Sequence, residues 1–170
     1  MHQSARHQCL IYKGSPARHL PALAALISQK LKERYRCLYL DSPPMVAGMR
    51  SYLAAAGVDV TREVGKSSLV LSSDQGHLEN GHFDADRMLH GLEAAVDLAL
   101  SEGYQGLWAT GDMTWEFGSK DEMSKLREYE WKLEDLFRTQ PCLSGICQYH
   151  VDTLPQDAVQ NGLLAHPSIL

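Results

Sequence analysis

Two short pairs of soft ligands stand near opposite ends of the chain, His7-x-Cys9 and Cys147-x-x-His150. Together they offer two imidazoles and two thiols, a ligand set suited to a tetrahedral zinc ion. Alternation along a strand puts His7 and Cys9 on one side. Cys147 and His150, three apart, share a side only if their strand ends between them. Cysteine is also a small hydrophobe that cores bury freely. Packed thiols therefore explain the same residues without a metal.

A phosphate site is suggested by Gly65-Lys-Ser67 and fails on spacing. The loop G-x-x-x-x-G-K-[ST] needs a glycine five positions earlier, where this chain has Val60. Its lysine must also open a helix whose amides face the phosphates, whereas this segment feeds an apolar run. After the first strand, Lys13-Gly-Ser-Pro-Ala-Arg18 supplies a lysine, a glycine and a helix start but no cradle. Ordinary nucleotide hydrolysis is not expected. No Gly-x-Ser-x-Gly elbow occurs, and no nucleophile has a base at a fixed spacing. The expectation is a binding protein, not an enzyme.

The pattern with most chemistry lies at the ends of the expected strands. Tyr104 to Trp115 reads YQGLWATGDMTW, an apolar run that breaks at Gly111 into an acid, a thioether and an indole. Ligands of open α/β sheets sit beyond the carboxyl ends of the strands. The other strand ends deliver Tyr12 and Lys13, then Asp41, then Gln148, Tyr149 and His150. Aromatic walls with a few polar groups line small-molecule pockets. Tyr12, Asp112, Trp115 and Tyr149 are the expected pocket residues, with His7, Cys9 and Cys147 behind them. Glu130 stands beside the apolar face of its helix, where it could reach the rim or a partner, although a solvated position is the ordinary outcome.

The elements that must position these groups follow from periodicity. Cys9–Tyr12, Cys37–Leu40, Ser68–Ser72, the run around Leu107–Ala109 and Leu143–Tyr149 read as strands, with a short last one at 168–170. Ser15-Pro16 and Ser42-Pro43 each pair a hydroxyl cap with a proline at the first helical position. Leu20, Leu23, Ala24, Ile27 and Leu31 form one helical stripe, and Val46, Met49 and Leu53 a narrower one that Gly57 ends. Val58–Val64 reads as a short strand or a loop, and Asp74–Gly81 as a loop. Asp84 caps a long helix lined by Met88, Leu92, Ala95, Val96 and Ala99, and Gly103 ends it. Ser119–Glu122 and Thr153–Gln156 match the capping box, each opening a further helix. Strands alternating with helices imply βαβ units, a mainly parallel sheet and a three-layer α/β sandwich.

At 170 residues and 44% hydrophobic, the chain fits one domain, 1–170. A net charge of -5, with its basic residues spread rather than massed, argues against direct nucleic-acid binding. No apolar run is long enough to span a membrane. The polar N-terminus MHQSARHQ lacks a signal peptide's apolar core, so a cytoplasmic, reducing setting is expected for its four cysteines.

Several landmarks stand in order: His7-x-Cys9-x-x-Tyr12, Arg36-Cys-Leu-Tyr39, Ala56-Gly-Val-Asp59, Phe83-Asp84, Glu102-Gly-Tyr104, Gly111-Asp-Met-x-Trp115, Tyr129-Glu130, Cys147-Gln-Tyr149 and His166-Pro167. Together they resemble the MEDS domain, the sensory domain of methanogen and methylotroph regulators such as the dichloromethane regulator DcmR. The resemblance implies a RecA/KaiC-like, P-loop-type core without a functional Walker A motif, with Asp112 in a Walker B-like position. It also implies sensing of a small molecule, such as a simple hydrocarbon derivative, in bacterial signal transduction and transcription regulation. Occupancy would pass to a histidine kinase or DNA-binding output protein or domain, separate from this chain or removed from it. His150 departs from the Asp or Asn expected there. No cofactor is required, and a homodimer is compatible with the sequence. Two rival readings are a nucleotide-binding relic of the KaiC type that does not hydrolyse ATP, and a metal- or thiol-based redox sensor on His7, Cys9 and Cys147.

Overall fold

A computed structural model describes residues 6–166 and 168–169. Strand β1 (His7–Tyr12) leads through a 3-10 turn at Pro16–His19 into α1 (Leu20–Lys32). Strand β2 (Arg36–Leu40) is followed by α2 (Pro43–Ala55), α3 (Val60–Gly65) and β3 (Leu69–Ser72). A small hairpin of β4 (Leu78–Glu79) and β5 (His82–Phe83) precedes α4 (Ala85–Ser101). Strand β6 (Leu107–Asp112) runs straight into α5 (Met113–Phe117). Then come α6 (Leu126–Thr139), β7 (Leu143–His150), α7 (Gln156–Ala165) and the edge pair β8 (Ser168–Ile169). Residue 170, expected in that last strand, lies outside the described residues.

The main sheet has the order β3-β2-β6-β7-β1-β8, and its described pairings are all parallel. Alternation along the strands sends neighbouring side chains into separate cores. Cys37, Tyr39, Leu69, Trp108 and Ile146 pack under α1, α2 and α3 through Leu20, Leu23, Ile27, Met49, Leu53 and Val60. Cys9, Leu107, Leu143, Cys147 and Tyr149 pack under α4, α5, α6 and α7. The result is the expected three-layer α/β sandwich.

Local expectations fail where a side chain finds a better partner. Within Val58–Val64 the chain is helical from Val60, because Asp59 accepts a hydrogen bond from the Arg62 amide (3.1 Å) and nucleates α3. The 74–81 segment contains the β4 strand of a hairpin. Neither Ser15 nor Ser42 caps through its hydroxyl, so proline alone marks those starts. The Ser119–Glu122 capping box does not form. Glu122 instead accepts from the Phe83 amide (2.9 Å) and faces the His82 ring (3.0 Å), which ties the hairpin to the 3-10 turn at Lys120–Lys125. Thr153 likewise spends its hydroxyl on Thr114 (3.0 Å), leaving α7 without a side-chain cap.

Candidate functional site

The strand ends do converge, but onto two sides of the sheet. On the α1 side, the Tyr12 hydroxyl donates to Asp112 (2.8 Å), whose other oxygen accepts from the Trp115 amide (3.0 Å) and starts α5. The Tyr12 ring stacks on His150, with centroids 4.7 Å apart, and lies 4.2 Å from His19. His19 reaches Gln148 (2.9 Å), and Gln148 donates to Thr110 (2.9 Å). Asp41, beside them, accepts from Tyr39 (2.9 Å) and from the Ser42 amide (2.7 Å). Burial, reinforced by the charge of Asp112, pushes the Asp41 carboxyl up to about 6. These rim groups largely satisfy one another.

Tyr149 points the other way, so the expected single pocket of Tyr12, Asp112 and Tyr149 is corrected. Residues 149 and 150 alternate across the sheet, and only His150 joins Tyr12. The same alternation removes His150 from the expected metal set of His7, Cys9, Cys147 and His150. Tyr149 instead donates a short hydrogen bond to Glu130. Glu130 is only 1% exposed, not a solvated helix residue. His7 and Cys147 meet beside it, Nε2 to Sγ 3.4 Å, and His166 approaches Glu130 Oε2 at 3.5 Å. Cys9 lies on the same strand face but stays in the apolar core, where burial first and then the charge of Glu130 push its thiol up to about 11.

Open space lies on the same side of the sheet, under α4. A cleft of about 380 Å³ is bounded by Leu38, Leu40, His77, Arg87, Met88 and Gly91. It shares Leu40, Met88 and Leu92 with a chamber of about 30 Å³ that reaches Glu116, Tyr129 and Cys147. The cleft matches the size of small-ligand sites, and the chamber has room for a water molecule. Glu116 is 3% exposed. Burial, with Glu130 and Asp112 nearby, pushes its carboxyl well above the usual range. When protonated it can donate a hydrogen bond as well as accept one. Gly111 makes this possible, because a Cβ there would overlap the Glu116 carboxyl oxygen.

Beside the mouth of the cleft, the 74–77 segment and α5 are fastened together. Gln75 donates to the Trp115 carbonyl (3.0 Å), and the His77 ring bonds the Glu116 carbonyl (2.6 Å). The His77 and Trp115 rings lie 5.5 Å apart. Trp115 thus borders the hairpin side. Sequence reasoning placed Glu116 at a strand end without giving it a role, and noted His166 only as a landmark. Their burial comes from α5 and α7 folding back over the sheet, which no local spacing encodes.

Residues 6–167 match the family model MEDS, described as MEthanogen/methylotroph, DcmR Sensory domain. No curated protein matches the chain.

Proposed function

Because the chain belongs to the MEDS family of sensory domains, we propose that it detects a small, mostly apolar molecule held between α4 and the ends of β2 and β6. The ligand is a short hydrocarbon derivative with one polar group. The observation that supports this most is the mostly apolar cleft with its inner chamber ending on the buried Glu116 carboxyl. The alkyl part fits against Leu38, Leu40, Met88 and Leu92, and the polar group meets Glu116 or the Arg87 and His77 pair at the mouth. The role is binding, not turnover.

Signalling follows from differential affinity, since a ligand shifts a two-state equilibrium only by binding one state better. The bistable element is the hairpin fastened to α5 through Gln75 and His77. A guest beneath it changes the cost of releasing those two bonds. The altered surface is read by an output partner, a histidine kinase or a DNA-binding protein or domain.

Gly91 supplies the test. A Cβ there meets nothing within 4 Å, and the residue lies in the middle of α4 facing the cleft. A Gly91→Leu side chain therefore starts in open space and extends toward the cleft, while losing a helix glycine stabilises the fold by about 0.5–1 kcal/mol. Thermal unfolding is followed with a panel of short haloalkanes, alcohols and aldehydes at millimolar concentration. A ligand at about ten times its Kd contributes about 1.4 kcal/mol, or about 3–6 °C for a chain of this size. The wild type is expected to show this shift for at least one compound, and Gly91→Leu is expected to lose it without a lower starting Tm. A shift that survives in Gly91→Leu, or a panel without effect on the wild type, rejects the site.

A further inference from the structure

We propose that His7, Glu130, Cys147 and His166 form a buried tetrahedral site for a divalent metal ion, zinc by its ligand set. The site joins β1 and β7 to α6 and to the residue that ends α7. It is independent of the small-molecule reading.

Geometry comes first. One ligand atom from each of the four residues lies within 4.8 Å of all the others. For zinc bonds of ordinary length, tetrahedral edges are about 3.3 Å between nitrogen or oxygen ligands and about 3.6 Å to sulfur. The cluster gives 3.4 Å for His7 Nε2 to Cys147 Sγ, 3.5 Å for His166 Nε2 to Glu130 Oε2, and 3.9 Å for His7 Nε2 to Glu130 Oε2. An ion at the centre would need only small side-chain adjustments.

Two polar atoms aimed into that centre lie 3.5 Å apart and neither makes a hydrogen bond. Glu130 Oε2 and His166 Nε2 are buried without a hydrogen bond. A buried polar atom left unpaired costs as much as a lost hydrogen bond or more, so two on one point call for an occupant. The charge balance suits a cation. Two neutral imidazoles, a thiolate and a carboxylate carry -2, which a divalent ion cancels in a site where net charge would be costly.

The surrounding shell is already that of ligating histidines. His166 Nδ1 faces the Gly162 carbonyl at 2.6 Å and must donate to it, which leaves the Nε2 lone pair facing the centre. His7 Nδ1 meets the Glu134 carboxylate at 2.6 Å, with the same consequence for its Nε2. Metal-bound histidines characteristically hold the other ring N–H in this way. Tyr149 holds Glu130 Oε1, directing Oε2 inward. Gly162 admits the Tyr149 ring, since a Cβ there would fall 2.5 Å from it. Four protein ligands close the coordination sphere, as in structural rather than catalytic zinc sites.

The test uses the full chain, purified without chelator and without a metal-binding tag. Elemental analysis is expected to find about one zinc per chain. The stripped protein titrated with Co²⁺ is expected to show intense tetrahedral d–d bands and a thiolate charge-transfer band. Cys147→Ala should abolish the charge-transfer band, whereas Cys9→Ala should keep it. Glu134→Gln, a partly exposed change that leaves all four ligands in place, should weaken Zn²⁺ affinity by about 10- to 100-fold in competition with a chromophoric chelator. If Cys147→Ala does not fold, the wild-type cobalt spectrum and Glu134→Gln decide the matter. Substoichiometric metal with no tetrahedral cobalt spectrum, a charge-transfer band that persists in folded Cys147→Ala, or unchanged affinity in Glu134→Gln would overturn the site. A different metal at one equivalent would overturn the zinc assignment.

Discussion

Gly145→Ala is expected to destabilise the fold by about 3 kcal/mol or more, lowering Tm by about 6–12 °C. Gly145 lies inside β7, paired with Ala109 of β6 on one side and His7 of β1 on the other. Its amide also donates to the Arg6 carbonyl (2.8 Å). A Cβ at this position would overlap the Ala109 carbonyl oxygen. That oxygen is backbone in the middle of a parallel ladder, so it cannot swing aside as a side chain would. Relief requires β6 and β7 to separate, which strains the strands carrying Asp112 and Cys147 together. Gly91→Ala is the control, because α4 leaves its Cβ in open space and a gain of about 0.5–1 kcal/mol is expected. Urea denaturation of the two variants measures both effects. Equal stabilities would mean that β7 does not approach β6 so closely.

Gly145 is also a contact that local sequence pattern does not encode. A glycine inside a strand pattern signals a close backbone approach, yet Leu143–Tyr149 reads as a strand with or without that inference. The strands themselves were legible because their apolar runs are bounded by turn residues, and the layers followed from alternation of strands with helices. The capping boxes misled, because Ser119 and Glu122 fit the spacing while Glu122 finds a stronger use at the amide of Phe83. Long-range contacts, not local propensity, decided those ends.

The site divided in the same manner. Tyr12 and Asp112 were legible as neighbours, since parallel strands place their carboxyl ends on one rim. Tyr149 also ends a strand, but the period of two turns it to the opposite face. His7 and Cys147 could be matched by that rule, both facing α6. Glu130 and His166 could not, since helix residues enter the cluster only through the packing of α6 and α7 on the sheet. Glu130 is polar, follows a core tyrosine and lies beside the apolar stripe, so its spacing did not distinguish a solvated residue from a buried one.

The rim acids lead to the remaining large effect. Asp41→Asn is expected to stabilise the protein by about 3 kcal/mol at pH 8 and to change little below about pH 4. Asp41 is 4% exposed, and burial followed by the charge of Asp112 lifts its carboxyl to about 6. The unfolded chain releases that proton near pH 4. Between about pH 4 and 6 the native state therefore binds a proton that the unfolded state has lost, and stability falls as pH rises through that window. Above it, the whole cost persists. An amide titrates nowhere in this range, so the variant lacks the downward slope. Its oxygen can still accept from the Ser42 amide, and its nitrogen can donate to the Tyr39 hydroxyl in place of the bond that Asp41 accepts. Chemical denaturation of both proteins from pH 4 to 8 gives the comparison. Curves that stay parallel across that range would mean that Asp41 ionises in the fold as easily as in the open chain, and that the charge of Asp112 does not reach it.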